Sequence, residues 1–238
     1  MDEVEWWEFD SPKDLAEQAA GDIAFVIESA IEAHGNARLA LAGGPRRDHI
    51  HEALVARDDL DWSKVTVVPT DDRLVGHDDE TSMVRQLRRW FDPVGAEVVP
   101  LVDESALGDY REAGRLADER LKRVDWPLDL VLLGMARDGH TASIFPGPDF
   151  DRAVNGPRER RAIGVRPDPM PEFAAVDRVT LTAPALSSAR AVMIAIAGDG
   201  KRALLERAIE EGPLSSTPIG RVIAGMDVPI DIFWSAAE

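Results

Sequence analysis

Histidine, aspartate and glycine stand together at Asp138-Gly139-His140-Thr141, with Ser143 two residues further on. An imidazole with an unperturbed pKa of about 6.5 can take a proton from water at neutral pH. A helix beginning at this turn would point its positive dipole end at the ring and keep it neutral. By residue type alone His140 is either such a base or a structural histidine. Asp71-Asp72-Arg73 is a second cluster. Its carboxylates could share acid and base work, but chain neighbours often point apart, so only one need face a site. Arg73 could hold a phosphate or carboxylate through paired N–H donors. The plain alternative is a surface ion pair. Gly43-Gly44 would let the backbone approach an anion at the start of a helix, or is simply a tight turn. Lys201 follows Gly198-Asp199-Gly200 and is one of four lysines in the chain. It could place an ammonium on a phosphate, or be an ordinary exposed lysine. His49 and His51 are two apart and cannot share a ligand on one helix face. His34 sits beside the glycine that ends a helix, and His77 lies in a solvated acidic loop.

Each of these clusters follows a predicted strand. Val65–Val68 and Asp129–Leu133 are short apolar runs, as expected of strands covered on both faces. Arg38–Leu41 precedes the paired glycines, and Ala191–Ala197 precedes Gly198-Asp199-Gly200-Lys201. Further strands are expected at Val4–Phe9, Glu97–Leu101, Ala162–Val165, Val179–Thr182 and Ile230–Trp234. Helical patterns alternate with them. The first is announced by Ser11-Pro12 and carries Leu15, Ala19, Ile23, Val26, Ile27 and Ala30 on one face, with Gly35 ending it. Others are expected from about His49 to Arg57, from Thr81 or Ser82 to Phe91, over Ser105–Val124, and from Gly200 to about Glu211. Residues 146–161, rich in Pro, Gly and Arg, read as a long surface loop. Strands alternating with helices imply an α/β fold with a mostly parallel sheet and helices on both faces. In such sheets ligands bind beyond the carboxyl ends of the strands, where all four clusters fall. One domain over residues 1–238 is the simplest division.

Composition narrows the chemistry. The chain has 44 acidic and 27 basic residues, a net charge of −17. That speaks against non-specific binding to nucleic acid or anionic membranes. Any anionic ligand must be held by a local cluster of cations. No cysteine is present, which excludes disulfides, thiolate nucleophiles and Cys-ligated metals. The acidic start MDEVEWWEFD does not read as a signal peptide, and no apolar stretch is long enough to span a membrane. A cytoplasmic protein, monomeric or a small homo-oligomer, is the expectation.

The segment DLVLLGMARDGHTASIFPG, Asp129 to Gly147, resembles the signature of the 6-phosphogluconolactonases. The resemblance extends to VTVVPTDDRLV at Val65–Val75, RVTLTAPAL at Arg178–Leu186, AGDGK at Ala197–Lys201 and LALAGGP at Leu39–Pro45. It implies a modified Rossmann-like α/β fold and hydrolysis of 6-phospho-D-glucono-1,5-lactone to 6-phosphogluconate, the second step of the oxidative pentose phosphate pathway. It also implies that no cofactor and no metal is needed. On that resemblance His140 is the general base and Asp71 orients it or the sugar hydroxyls. Arg73 and backbone N–H groups near Gly44 or Gly139 are candidates for the oxyanion. Lys201, Arg178 and Arg46 would take the phosphate, with Gly43, Gly44, Asp138, Gly139 and Thr141 completing the substrate site. The family's Ser-Gly-Gly-Ser-Thr-Pro loop reads here Ala42-Gly43-Gly44-Pro45-Arg46-Arg47, which removes hydroxyl donors and adds guanidinium groups: either Arg46 or Arg47 replaces the lost phosphate contacts, or the loop no longer binds phosphate. Two alternatives follow: a glucosamine-6-phosphate deaminase-like isomerase, or a sugar-phosphate-binding homologue without turnover.

Overall fold

Ser11 and Pro12 start the first helix as their types predict. The Ser11 hydroxyl oxygen accepts the N–H of Asp14 at 3.1 Å, and Pro12 occupies the first turn, where no N–H is needed. The computed structural model describes residues 4–172 and 174–236, apart from the side chains of Pro45 and Arg46. In chain order the elements are β1 Val4–Phe9, α1 Pro12–His34, β2 Ala37–Leu41, α2 Pro45–Val55, β3 Val65–Pro69, β4 Asp71–Arg73, α3 Met83–Phe91, β5 Glu97–Val98 and α4 Tyr110–Leu121. Then follow β6 Leu130–Gly134, α5 Phe150–Val154, β7 Ala162–Val165, β8 Arg178–Leu181, α6 Ala183–Ser187, β9 Val192–Ala197, α7 Asp199–Glu211, α8 Pro218–Ile223 and β10 Ile230–Ser235.

Seven strands form one parallel sheet in the order β1-β10-β9-β6-β2-β3-β5. Its central strands are apolar throughout because both faces are covered. Successive side chains serve opposite layers. Val131 and Leu133 pack with α4 and the C-terminal helices, whereas Leu130 and Leu132 pack with α1 and α3. Ala40 and Leu41 divide in the same way. Each fully buried Val or Leu contributes about 1.5–3 kcal/mol of transfer free energy, so this double-sided burial is what holds the sheet between its helices. The chain leaves β2 toward β3 on one side and returns to β6 on the other. The order of strands therefore reverses between β2 and β6, and the carboxyl ends of these two strands flank the crevice where open α/β sheets bind ligands.

A second sheet was not anticipated. β4, β8 and β7 form a three-stranded antiparallel sheet that stands beside the main one. Asp71-Asp72-Arg73 is thus a strand and not a loop. α2 begins at Pro45 and not near His49, because Gly44 takes φ +101° and Pro45 fits the first helical turn. The helix expected over Ser105–Val124 starts only at Tyr110, where Asp109 caps it. The segment read as loop contains α5, and α6 and α8 also went unread. Helices of five or six residues are too short to show a 3.6-residue period. No helix among the described residues is long and apolar enough to cross a membrane.

Candidate active site

β6 ends at Gly134, and the next ten residues fold into a tight turn. The N–H of Ala136 donates to the carbonyl of His140 at 3.0 Å, and that of Gly139 donates to the carbonyl of Ala136 at 3.1 Å. The Thr141 hydroxyl donates to the carbonyl of Gly134 at 2.7 Å and ties the turn back to the strand. Ala142 is held at φ +47°, a left-handed conformation that costs a non-glycine residue of order 1–2 kcal/mol. Ser143 fixes the far side. Its N–H reaches the Thr180 hydroxyl at 3.2 Å, and its own hydroxyl donates to Asp71 Oδ2 at 2.5 Å.

His140 projects from this turn into a cavity of about 410 Å³. Its Nδ1 lies 2.7 Å from Asp138 Oδ1, which also accepts the His140 backbone N–H at 3.2 Å. The hydrogen bond from the imidazole holds the Asp138 carboxyl below the ordinary carboxylate range, so it is an acceptor. Nδ1 therefore carries the proton, and Nε2 is the nitrogen with a lone pair. The ring packs on Phe145 at 4.2 Å between centroids, and its side chain is 25% exposed. Two expectations are corrected here. No helix begins at the turn itself; the helix N-terminus that meets it is that of α8, whose Ile219 N–H donates to the Gly139 carbonyl at 3.0 Å. Asp71 does not orient His140; Asp138 does, while Asp71 is bonded by Ser143 and Thr70.

The two neighbouring carboxylates separate because β4 alternates. Asp71 and Arg73 face the cavity, and Asp72 points the other way into the protein. Asp72 is fully buried and accepts the backbone N–H groups of Arg73 at 2.8 Å, Met83 at 2.6 Å and Val84 at 3.0 Å. It joins β4 to the start of α3. Burial pushes its carboxyl up to about 6 against the pull of those donors.

Arg73 stands directly opposite Arg178 in the antiparallel register. Like charges in that position repel, and both guanidinium groups line the cavity. Burial first, and then the neighbouring Arg73, lower Arg178 to about 10. Arg178 donates to the carbonyls of Val176 and of Ala174, the latter at 2.7 Å, so it braces the 174–177 segment as well as facing the site. Arg73 Nη1 is buried with no protein acceptor. Lys201, in the first turn of α7, is 6% exposed and opens on the same space. Among the described residues, Arg47 and Arg137 complete five cationic side chains around the cavity, with one lining carboxylate, Asp71. In a protein of net charge −17 this is a local concentration of positive charge. The remote acidic surface is screened beyond about 8 Å at physiological salt.

Other sequence expectations fare differently. Gly43 lines the cavity, with Met83 packed over it. The N–H of Gly44 is taken by Gln86 at 3.1 Å and that of Gly139 by Ala136, so neither is available to an oxyanion. Asp138 acts through His140, and Thr141 lines the site with its hydroxyl already donated to Gly134. The Arg46 side chain lies outside the described residues. Arg47, the other arginine expected to replace the loop's lost contacts, lines the cavity. Of the five histidines only His140 lines this cavity. His34 pairs with Asp129, His77 with the carbonyl of Val102, and His51 is buried against Phe91. Among the described residues no three His, Cys, Asp or Glu side chains gather to hold a metal ion.

Comparison with known proteins agrees with the fold. A 6-phosphogluconolactonase of Rhizobium meliloti is 33% identical over 231 residues, covering 95% of this chain and 97% of the relative. One from Neisseria meningitidis is 30% identical over 234 residues, covering 97% and 98%. The crystal structure of a 6-phosphogluconolactonase from Shewanella baltica superposes with a TM-score of 0.89 at 28% identity, over 99% of each chain. The family model described as glucosamine-6-phosphate isomerases/6-phosphogluconolactonase matches residues 10–230, so the chain belongs to that family.

Proposed function

We propose that the chain hydrolyses 6-phospho-D-glucono-1,5-lactone to 6-phosphogluconate, with His140 as the general base and the five-cation cavity as the substrate site. One observation carries this reading: the Asp138–His140 pair opens on a cavity whose walls are cationic in a strongly acidic protein. Of the two activities that the family name covers, the relatives at 30–33% identity carry the lactonase one.

In this mechanism Nε2 of His140 takes a proton from a water molecule as its oxygen attacks C1 of the lactone. The carbonyl electrons move onto oxygen, and the negative charge develops in front of Arg73 and Arg178, which are already in place and desolvated. The tetrahedral intermediate collapses, the bond from C1 to the ring oxygen breaks, and His140 returns its proton to that oxygen. The carboxylic acid then ionises. Asp138 keeps the imidazole in the required tautomer throughout. Asp71, fixed by Ser143, receives sugar hydroxyls, and Lys201 holds the phosphate. The whole chain acts as one catalytic domain on a small anion, in the cytoplasm, with no role for nucleic acid.

Lys201→Met removes a desolvated ammonium from the phosphate and should raise KM by about 10–100-fold, the worth of one charge-assisted hydrogen bond, with kcat nearly unchanged. Initial rates across a substrate series check this. A fall in kcat at constant KM would show that Lys201 does not hold the phosphate. The same assay, corrected for spontaneous lactone opening and run beside an ammonia assay on glucosamine 6-phosphate, separates the lactonase from a deaminase. Product binding in calorimetry without any rate above the spontaneous one would mark a binding protein.

A further inference from the structure

Arg47 stands between two cavities. On one side is the site described above. On the other is a cavity of about 490 Å³ lined by α1, α2, β9, α7 and the end of β10, its walls mixed, with Leu15, Ile50 and Ile196 as well as His49 and Ser235 among them. Arg47 and Lys201 line both. The guanidinium lies across the carboxyl ends of β6 and β9, the middle of the sheet. It donates to the carbonyl of Ala195 at 3.1 Å, and it passes so close to Gly134 that a Cβ there would sit 1.5 Å from Nη2. Only a glycine at the end of β6 leaves room for it. The side chain is therefore built in, anchored at its tip, and with Lys201 it forms the wall that the two cavities share.

We infer that Arg47 is a specificity-determining residue: it closes the anion end of the substrate site, so that the site takes a terminal phosphate and rejects a phosphate that carries a further substituent. This rests on the lactonase reading, in which the phosphate lies against Lys201. A phosphomonoester presents three terminal oxygens and close to two negative charges to the cationic wall. A phosphodiester presents one charge, and its extra group must point into the space that Arg47 fills. With the side chain shortened, that group enters the cavity behind, against Leu15, Ile50 and Ile196.

The test is competitive inhibition of lactone hydrolysis by 6-phosphogluconate and by its phenyl phosphodiester, in wild type, Arg47→Ala and Arg47→Lys. Arg47→Ala should weaken the monoester by about 10-fold or more through the lost charge-assisted contact. It should leave the diester as tight or tighter, so the preference for the monoester falls at least tenfold. Arg47→Lys keeps the charge but not the planar fork that spans the gap. Its monoester affinity should stay within about threefold of wild type, as expected where the charge is retained, while the diester gains. Equal weakening of both ligands in Arg47→Ala, no change in either, or an unaltered preference in Arg47→Lys would overturn the inference. If Arg47→Ala does not fold, Arg47→Lys decides alone. Failure of the wild-type protein to bind 6-phosphogluconate at all would overturn the lactonase reading beneath it, a result distinct from a monoester preference that survives substitution.

Discussion

Replacing His140 with alanine is expected to lower kcat by about 10²–10⁴, the usual worth of a general base, with little change in KM. The ring has a single polar partner, Asp138, on Nδ1, and its body rests on Phe145. Nothing in the fold hangs on it, and it is partly exposed, so its loss should barely alter stability. The phosphate-holding Lys201 lies on another element, α7, and Arg178 on β8. Substrate should therefore still bind and still meet Arg73 and Arg178, leaving the electrostatic part of the rate enhancement in place. Because the lactone opens by itself in water, the residual rate must be measured against a protein-free control. A variant with kcat near that of wild type would remove His140 from the mechanism.

A large loss of stability is expected from Asp72→Ala. The substitution leaves three backbone N–H groups, those of Arg73, Met83 and Val84, without their acceptor in a buried place. Each unsatisfied buried donor costs about 1–3 kcal/mol, so the total should reach about 3 kcal/mol or more even if water enters one position. The effect should depend on pH. Burial raises the Asp72 carboxyl from 3.8 to about 6, so the folded chain holds this proton more tightly than the unfolded one. Its contribution is complete below the unfolded value and declines as pH rises through 6. The gap between wild type and Asp72→Ala in urea unfolding should be larger at pH 4.5 than at pH 7. A variant with the wild-type midpoint at both values would show that Asp72 does not tie β4 to α3. Activity should fall with stability, because β4 carries Asp71 and Arg73 into the site.

How far the site could be read from residue types varied with the distance over which contacts act. His140 and Lys201 were legible because each follows an apolar strand, and parallel sheets deliver chemistry at strand ends. The pairing of His140 with Asp138 is a contact across two residues, yet the orienting part was offered to the more distant Asp71, as one of two tasks beside holding sugar hydroxyls. Only the turn geometry, with Gly139 at φ +81°, folds Asp138 back on the ring. Asp71 and Asp72 could not be assigned separate tasks until Asp71–Arg73 was seen to pair with Arg178–Thr180. That pairing joins segments more than a hundred residues apart and leaves no local signal in three polar residues. Residue type alone could not choose between Arg46 and Arg47 as a replacement for the loop's lost phosphate contacts; Gly44 and Pro45 start the helix and aim Arg47 across Gly134. The main sheet was readable because Leu130–Leu133 and Val192–Ile196 are apolar on both faces, which few other environments require.

The central claim is that a histidine base works beside a pocket made for a phosphate. The most direct measurement is kcat/KM for 6-phosphogluconolactone and for unphosphorylated gluconolactone, with the same enzyme and with spontaneous opening subtracted. Two or more charge-assisted contacts to the phosphate predict a preference of at least about 10² for the phosphorylated lactone. Equal kcat/KM for the two lactones would contradict the account, since the five cations around the cavity would then have no phosphate to hold.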